Sequence, residues 1–146
     1  MSISTILFVC TGNTCRSPLA EGIAQKWLDD HGITNWIALS AGVHAMAGMP
    51  TSPETIKALS DRGIDFHGVS TLLTPKMAEK ASVVLCMTSS HLSSASMLSE
   101  KAELIDANGD IADPIGQSQS VYDALGYQLE LLITQKLELL TRQGAK

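Results

Sequence analysis

The feature that most constrains this chain lies near the start of the sequence, where Thr5-Ile-Leu-Phe-Val-Cys10 is an unbroken apolar, partly β-branched run of strand length. A run without polar alternation belongs to a strand covered on both faces. It stops at Thr11-Gly12-Asn13, and Ser17-Pro18 then offers N-cap chemistry followed by a residue whose missing N–H costs nothing at the first helical position. Leu19, Ile23, Ala24, Trp27 and Leu28 recur at helical spacing as far as Gly32, which suits a C′ position. A buried strand, a tight loop and an amphipathic helix in this order form the opening of a layered α/β sheet.

The alternation continues. Trp36 to Ser40 reads as a second strand, Pro53 to Arg62 as a helix stopped by Gly63, and Ser82 to Met87 as a third, fully buried strand. A short helix starts at Pro75 behind Thr74, another covers Ser89 to Leu98, and Ala102 to Ile105 forms a short fourth strand. The last long helix begins near Ser120 and carries Leu125, Leu129, Leu132, Ile133, Leu137 and Leu140 on one face. Strands alternating with helices predict a doubly wound α/β fold, with a four-stranded parallel sheet in a three-layer α/β/α arrangement. With 146 residues and no repeat, linker or low-complexity tract, one domain over 1–146 is expected.

Composition narrows the function. Lys and Arg number 10 against 15 Asp and Glu, a net charge of −5, so a nucleic-acid backbone has no basic surface to meet. No apolar run approaches the roughly 18 residues of a transmembrane helix, and Met1-Ser2-Ile3 lacks the basic start of a secretory signal, so no membrane partner is expected. Three cysteines are too few and too odd for a disulfide framework, which points to free thiols and a cytoplasmic setting. His31, His44, His67 and His91 are scattered without ligand spacing and read as surface or helix-end residues, so neither a metal nor another cofactor is expected.

The first loop, Cys10-Thr11-Gly12-Asn13-Thr14-Cys15-Arg16-Ser17, carries the chemistry. It lies where α/β sheets bind ligands, beyond a strand's carboxyl end and before a helix N-terminus whose free N–H groups and dipole favour an anion. It matches neither the G-x-x-x-x-G-K-[ST] nor the G-x-G-x-x-G nucleotide fingerprint. It holds instead a thiol and, six positions later, a guanidinium. A loop coiled round a tetrahedral anion puts both on one phosphate, where the planar fork of Arg16 bonds two oxygens and the positive surroundings favour the Cys10 thiolate, a nucleophile. Expelling the leaving group calls for an acid opposite, and Asp113-Pro114 supplies one after the fourth strand; Asp106 and Asp110 compete but read as turn residues.

Cys10-Thr-Gly-Asn-Thr-Cys-Arg-Ser-Pro-Leu-Ala-Glu21, Ser40-Ala-Gly42 and Asp113-Pro114 together resemble the low-molecular-weight protein phosphatase family, over nearly the whole chain. The resemblance implies that Cys10 forms a phosphocysteine, that Arg16 and the amides of residues Thr11 to Ser17 hold the phosphoryl oxygens, and that Asp113 acts as acid and then base. It further implies that Ser17 donates to the Cys10 thiolate while Asn13 and Ser40 brace the loop. The partners would be a phosphorylated protein as substrate and inorganic phosphate as product.

Two departures stand out. Phosphotyrosine-specialised members follow Asp-Pro with aromatic residues, whereas Ile115 and Gly116 stand here and Tyr122 is the nearest substitute. The family often has a bracing His near Gly68, but His67 is one position off and is left unassigned. Thr11 together with Asp113-Pro114-x-Gly116 is similar to the protein-arginine-phosphatase branch, with a hydroxyl to meet a guanidino group; the plain alternative is a β-branched residue that fits the turn. Phosphotyrosine and phosphoarginine both stay open. Arsenate reduction on the same scaffold needs further relay cysteines, and only Cys86 remains, in a buried strand. Cys15 either captures oxidised Cys10 as a reversible disulfide or merely packs the loop. A catalytically silent phosphate-binding or redox-sensing module is the reading of a different class.

Overall fold

The computed structural model describes residues 2–144, so Met1, Ala145 and Lys146, at the ends of the expected domain, lie outside the described residues. The elements run β1 (Ser4–Cys10), α1 (Arg16–Asp30), β2 (Trp36–Gly42), α2 (Pro53–Ser60), α3 (Pro75–Lys80), β3 (Val83–Cys86), α4 (Ser89–Ser96), β4 (Ala102–Leu104) and α5 (Gln119–Gly144). The four strands pair in parallel in the order β2-β1-β3-β4.

Alternation along β1 builds the layers. Ile6, Phe8 and Cys10 project to one face and pack with Leu19, Ala24 and Leu28 of α1 and Leu125, Leu129, Ile133 and Leu137 of α5. Leu7 and Val9 project to the other and meet Ala78 of α3, Ala95 of α4 and Val84 and Cys86 of β3. Burying each large apolar side chain of this strand contributes about 1.5–3 kcal/mol, so β1 anchors both halves of the core. After β1 the chain pairs β2 on one side, and later β3 on the other. The loops that leave the carboxyl ends of β1 and β3 therefore diverge and open a crevice, the usual ligand position in such sheets.

The expected elements are all present, with shifted ends. Thr74 caps α3 through its side chain as expected, and Ser52 and Thr88 do the same for α2 and α4. Ser17, expected as the cap of α1, lies inside that helix with its hydroxyl engaged in the loop, and Cys15 holds the cap position without a side-chain capping bond. Strand β2 runs on past Ser40 to Gly42, since Ala41 and Gly42 keep pairing with Val9 and Cys10. Only glycine fits there: a Cβ on Gly42 would lie 2.4 Å from the Thr11 carbonyl oxygen. No helix among the described residues is long and apolar enough to cross a membrane.

Candidate active site

The loop from Cys10 to Ser17 is held by its carbonyls. The oxygens of Cys10 and Thr11 accept from the N–H groups of Val43 and His44, and the Thr14 oxygen accepts from Ser52, at 2.9–3.0 Å. The Cys15 oxygen accepts from Leu19 N–H and from the Thr55 hydroxyl. With these carbonyls committed outward, the N–H groups of Gly12, Asn13, Thr14 and Cys15 bond no backbone carbonyl among the described residues. A ring of such donors ahead of a helix start is an anion-binding nest.

Asn13 sets the curvature. Its φ of +58° is the one positive value at a non-glycine residue among the described residues, a region that Asn tolerates better than most side chains. The carboxamide then fixes the loop from below: Nδ2 donates to Ser17 Oγ at 2.7 Å and to Ser40 Oγ at 2.9 Å, and Oδ1 accepts from Thr71 N–H at 2.8 Å. Ser40 Oγ in turn donates to Glu21 Oε1 at 2.6 Å. Burial raises the Glu21 carboxyl above its ordinary value, and the Ser40 bond works against that rise.

Cys10 Sγ sits at the carboxyl end of β1, 2.9 Å from Ser17 Oγ. Arg16, in the first turn of α1, is buried, and its Nη1 donates to the Ile111 carbonyl at 2.9 Å. Nη2 lies 3.4 Å from Thr11 Oγ1 and 3.5 Å from Asp113 Oδ2. Thus the three groups that sequence spacing singled out meet at one end of the sheet, although Asp113 is 97 positions from Arg16 and joined to it only by the fold. Asp113 is half-exposed, and its Oδ1 accepts from Ile115 N–H at 3.1 Å. The competing acids serve turns: Asp106 accepts from Asn108 N–H, and Asp110 accepts from Ser89 N–H at the start of α4.

Two expectations, on Tyr122 and His91, need correction, and His67, left unassigned, is an exposed residue. Tyr122, considered for a wall of the substrate slot, is 2% exposed and lies beneath the loop with its hydroxyl 3.5 Å from Cys15 Sγ. Burial and the Cys15 contact push its phenol well above the ordinary range. His67 stands outside the bracing network, exposed and 2.9 Å from Asp65, and Thr71 N–H takes the remaining Asn13 oxygen. His91, read as a surface or helix-end residue, is 3% exposed and reaches Thr11 Oγ1 at 2.7 Å. Sequence reasoning missed this contact because α4 and the first loop are far apart in the chain. The one available signal was Thr88, whose N-cap chemistry places His91 at the third helical position with its backbone N–H on the Thr88 hydroxyl.

The remaining cysteines differ in setting. Cys15 Sγ also lies 3.5 Å from Ser52 Oγ, so loop, α2 and α5 meet at this thiol. Cys86 is enclosed in the opposite half of the core, and burial pushes its thiol up to about 12, which keeps it protonated and inert. No group of three or more His, Cys, Asp or Glu able to hold a metal occurs among the described residues.

Comparison with known proteins agrees with this geometry. Residues 5–146 match the family model for low molecular weight phosphotyrosine protein phosphatase. A protein-arginine-phosphatase of Bacillus subtilis is 34% identical over 139 residues, which cover 89% of this chain and 92% of that protein. The low molecular weight protein-tyrosine-phosphatase PtpB of Staphylococcus haemolyticus is 35% identical over 135 residues, 88% of this chain and 94% of that one. The crystal structure of a low molecular weight protein tyrosine phosphatase from T. tengcongensis superposes with a TM-score of 0.87 at 36% identity, covering 92% of this chain and 98% of the other. The chain belongs to the low molecular weight phosphotyrosine protein phosphatase family.

Proposed function

We propose that this chain hydrolyses a phosphorylated amino-acid side chain on a protein, phosphotyrosine or phosphoarginine, through a phosphocysteine at Cys10. The observation that carries the reading is the convergence of the Cys10 thiol, the buried Arg16 guanidinium and the Asp113 carboxyl at the free N–H groups of the first loop. The loop amides and Arg16 bind three phosphoryl oxygens, and the Ser17 hydroxyl donates to the Cys10 thiolate. The thiolate attacks phosphorus, the bond to the leaving oxygen or nitrogen breaks, and the Asp113 carboxyl transfers its proton to that atom. Asp113, now a carboxylate, takes a proton from a water that attacks the phosphocysteine, releasing inorganic phosphate and restoring the thiolate. Asn13 and Ser40 hold the loop in shape for both steps. Free thiols at Cys10, Cys15 and Cys86 suit a reducing compartment such as the cytoplasm.

The choice of leaving group turns on the loop hydroxyls. The Thr11 hydroxyl is engaged with His91 and Arg16, so it is less available to a substrate than its place after the nucleophile suggested. The other hydroxyl, on half-buried Thr14, has among the described residues one side-chain hydrogen bond, to the Cys15 thiol 3.8 Å away, and keeps its polar capacity for a guanidino group. The test is kcat/KM on matched phosphoarginine and phosphotyrosine peptides for wild type, Thr11→Val and Thr14→Val, with Cys10→Ser beside them. Cys10→Ser should remove turnover while still binding phosphate; substantial residual turnover would sink the phosphocysteine mechanism. A phosphoarginine preference lost in Thr14→Val identifies the guanidino contact, and a phosphotyrosine preference in wild type assigns the chain to the other substrate.

A further inference from the structure

One buried titratable side chain next to the loop has no part in the chemistry above. His91 lies in the first turn of α4, on the far side of the crevice from α1, and is almost fully enclosed. Both ring nitrogens are engaged: Nε2 is 2.7 Å from Thr11 Oγ1, and Nδ1 is 3.0 Å from the hydroxyl of Thr88. Thr88 also accepts from His91 N–H as the cap of α4, which fixes the imidazole to its own helix start. The chain of contacts ends on a functional group, because Thr11 Oγ1 lies 3.4 Å from Arg16 Nη2. A guanidinium only donates, so in either imidazole tautomer Thr11 accepts from Arg16 and spends its other bond on His91.

We infer that His91 is a positioning residue of the phosphate site, holding the Arg16 guanidinium in its anion-binding orientation through the Thr11 hydroxyl. This deepens the phosphatase reading and rests on it for the role of Arg16. The physical case is one of unequal anchoring. Nη1 of Arg16 is fixed by the Ile111 carbonyl, whereas among the described residues Nη2 has just the long contacts to Thr11 and to the half-exposed Asp113. A fork held at one prong rotates about that prong, and bidentate capture of two phosphoryl oxygens needs both prongs in plane. Thr11 is a sound second stop only if its own χ1 is locked, and the 2.7 Å bond from a buried, twice-held imidazole supplies that lock. The side chain also suits a site built for an anion. Burial and the neighbouring Arg16, with a smaller push from His44 against the pull of Asp110 and Asp113, bring the imidazole down to about 4, so it stays neutral beside the guanidinium at ordinary pH.

The experiment separates the two ring nitrogens. In His91→Gln the amide reaches about as far as Nε2 and can still bond Thr11; in His91→Asn it reaches only the Nδ1 position and bonds Thr88 alone. Binding of inorganic phosphate is measured by calorimetry on each, together with Thr11→Val and the His91→Asn/Thr11→Val double variant, and kcat and KM for an aryl phosphate are measured in parallel. His91→Asn should weaken phosphate binding by about ten-fold, as expected for a lost bond steering a charged group, while His91→Gln recovers most of the loss. The double variant should be no weaker than the worse single one, since both substitutions cut the same link. Equal losses in the Asn and Gln variants, or losses that add in the double variant, would overturn the proposal. Because phosphate binding needs no turnover, these outcomes stand apart from the phosphatase reading, which fails if wild type binds phosphate yet never hydrolyses the aryl ester.

Discussion

The two sides of the crevice are built in opposite ways. On the side of Cys10, the proposed nucleophile, Asn13, Arg16 and Ser17 are buried and each is bonded: Asn13 to Ser17, Ser40 and Thr71, Arg16 to the Ile111 carbonyl, and Ser17 to Cys10. On the side of Asp113, the proposed acid, that residue is half-exposed, held by a turn bond to Ile115 N–H and one ion contact to Arg16, next to an exposed Ile115 and a Gly116 with φ of +79°. The difference follows the chemistry. Phosphate is the same tetrahedron in every substrate, so its cradle can be rigid and its ordering cost met during folding. The leaving group differs from substrate to substrate, so the wall that meets it sits on a segment with few tertiary bonds.

The comparison predicts that substitutions on the nucleophile side cost stability and activity together, while those on the acid side cost activity alone. Asn13→Ala should show the largest effect. It strips three hydrogen bonds from buried or half-buried partners and leaves a positive φ on a residue that resists it, so unfolding stability should fall by about 3 kcal/mol with turnover nearly lost. Denaturant melts that match wild type would show that the loop holds its shape without this side chain.

Asp113→Asn should come next, and its signature is selectivity. Removing the proton donor should slow a phenyl or alkyl phosphate by about 100-fold or more, yet barely slow a substrate whose leaving group departs without help. Its melting point should stay near that of wild type, because an ion pair with one partner half in water contributes little. Equal slowing on both substrates would move the acid role elsewhere.

The smallest effect concerns Glu21, behind the loop. Its folded-state carboxyl titrates above the ordinary value because it is buried. Between those two values the folded state holds more protons than the unfolded chain, so stability contributed at this position falls as pH rises through that window. Glu21→Gln carries no such titration, so its melting temperature should lose less than that of wild type between about pH 4 and 7, a range that brackets carboxylate titration. Superimposable pH profiles would mean that Ser40 fully offsets the burial.

Much of the nucleophile side was legible in the sequence, because it is local. Cys10, Thr11 to Cys15 and Arg16 lie within one strand-loop-helix unit, and backbone geometry alone brings thiol, amides and guanidinium round one point. The proposed acid, Asp113, was legible as a residue type in a plausible place, but what favours it over Asp106 and Asp110 is the path of the chain after β4 and the Arg16 contact. Tyr122 shows where reading by composition misleads. An aromatic residue near the right place in sequence belongs to α5, whose apolar face must pack on the sheet, so its ring goes under the loop and not into the mouth. Apart from the Thr88 cap, His91 was hidden for a related reason, since a lone histidine in a Ser-rich helix has no periodicity to mark it as buried.

What the sequence determined by itself was the alternation of elements, hence the parallel layered sheet, and the anion loop with its thiol and guanidinium. These depend on propensity, patterning and spacing over a few residues, which are local properties. The tertiary structure alone decided that Glu21 and Thr71 join Ser40, the brace the resemblance implied, below the loop, that Asp113 faces Arg16, and that His91 stands behind Thr11. Those pairings join residues brought together by the strand order β2-β1-β3-β4, and their geometry is fixed by packing that no segment can specify before the others are in place.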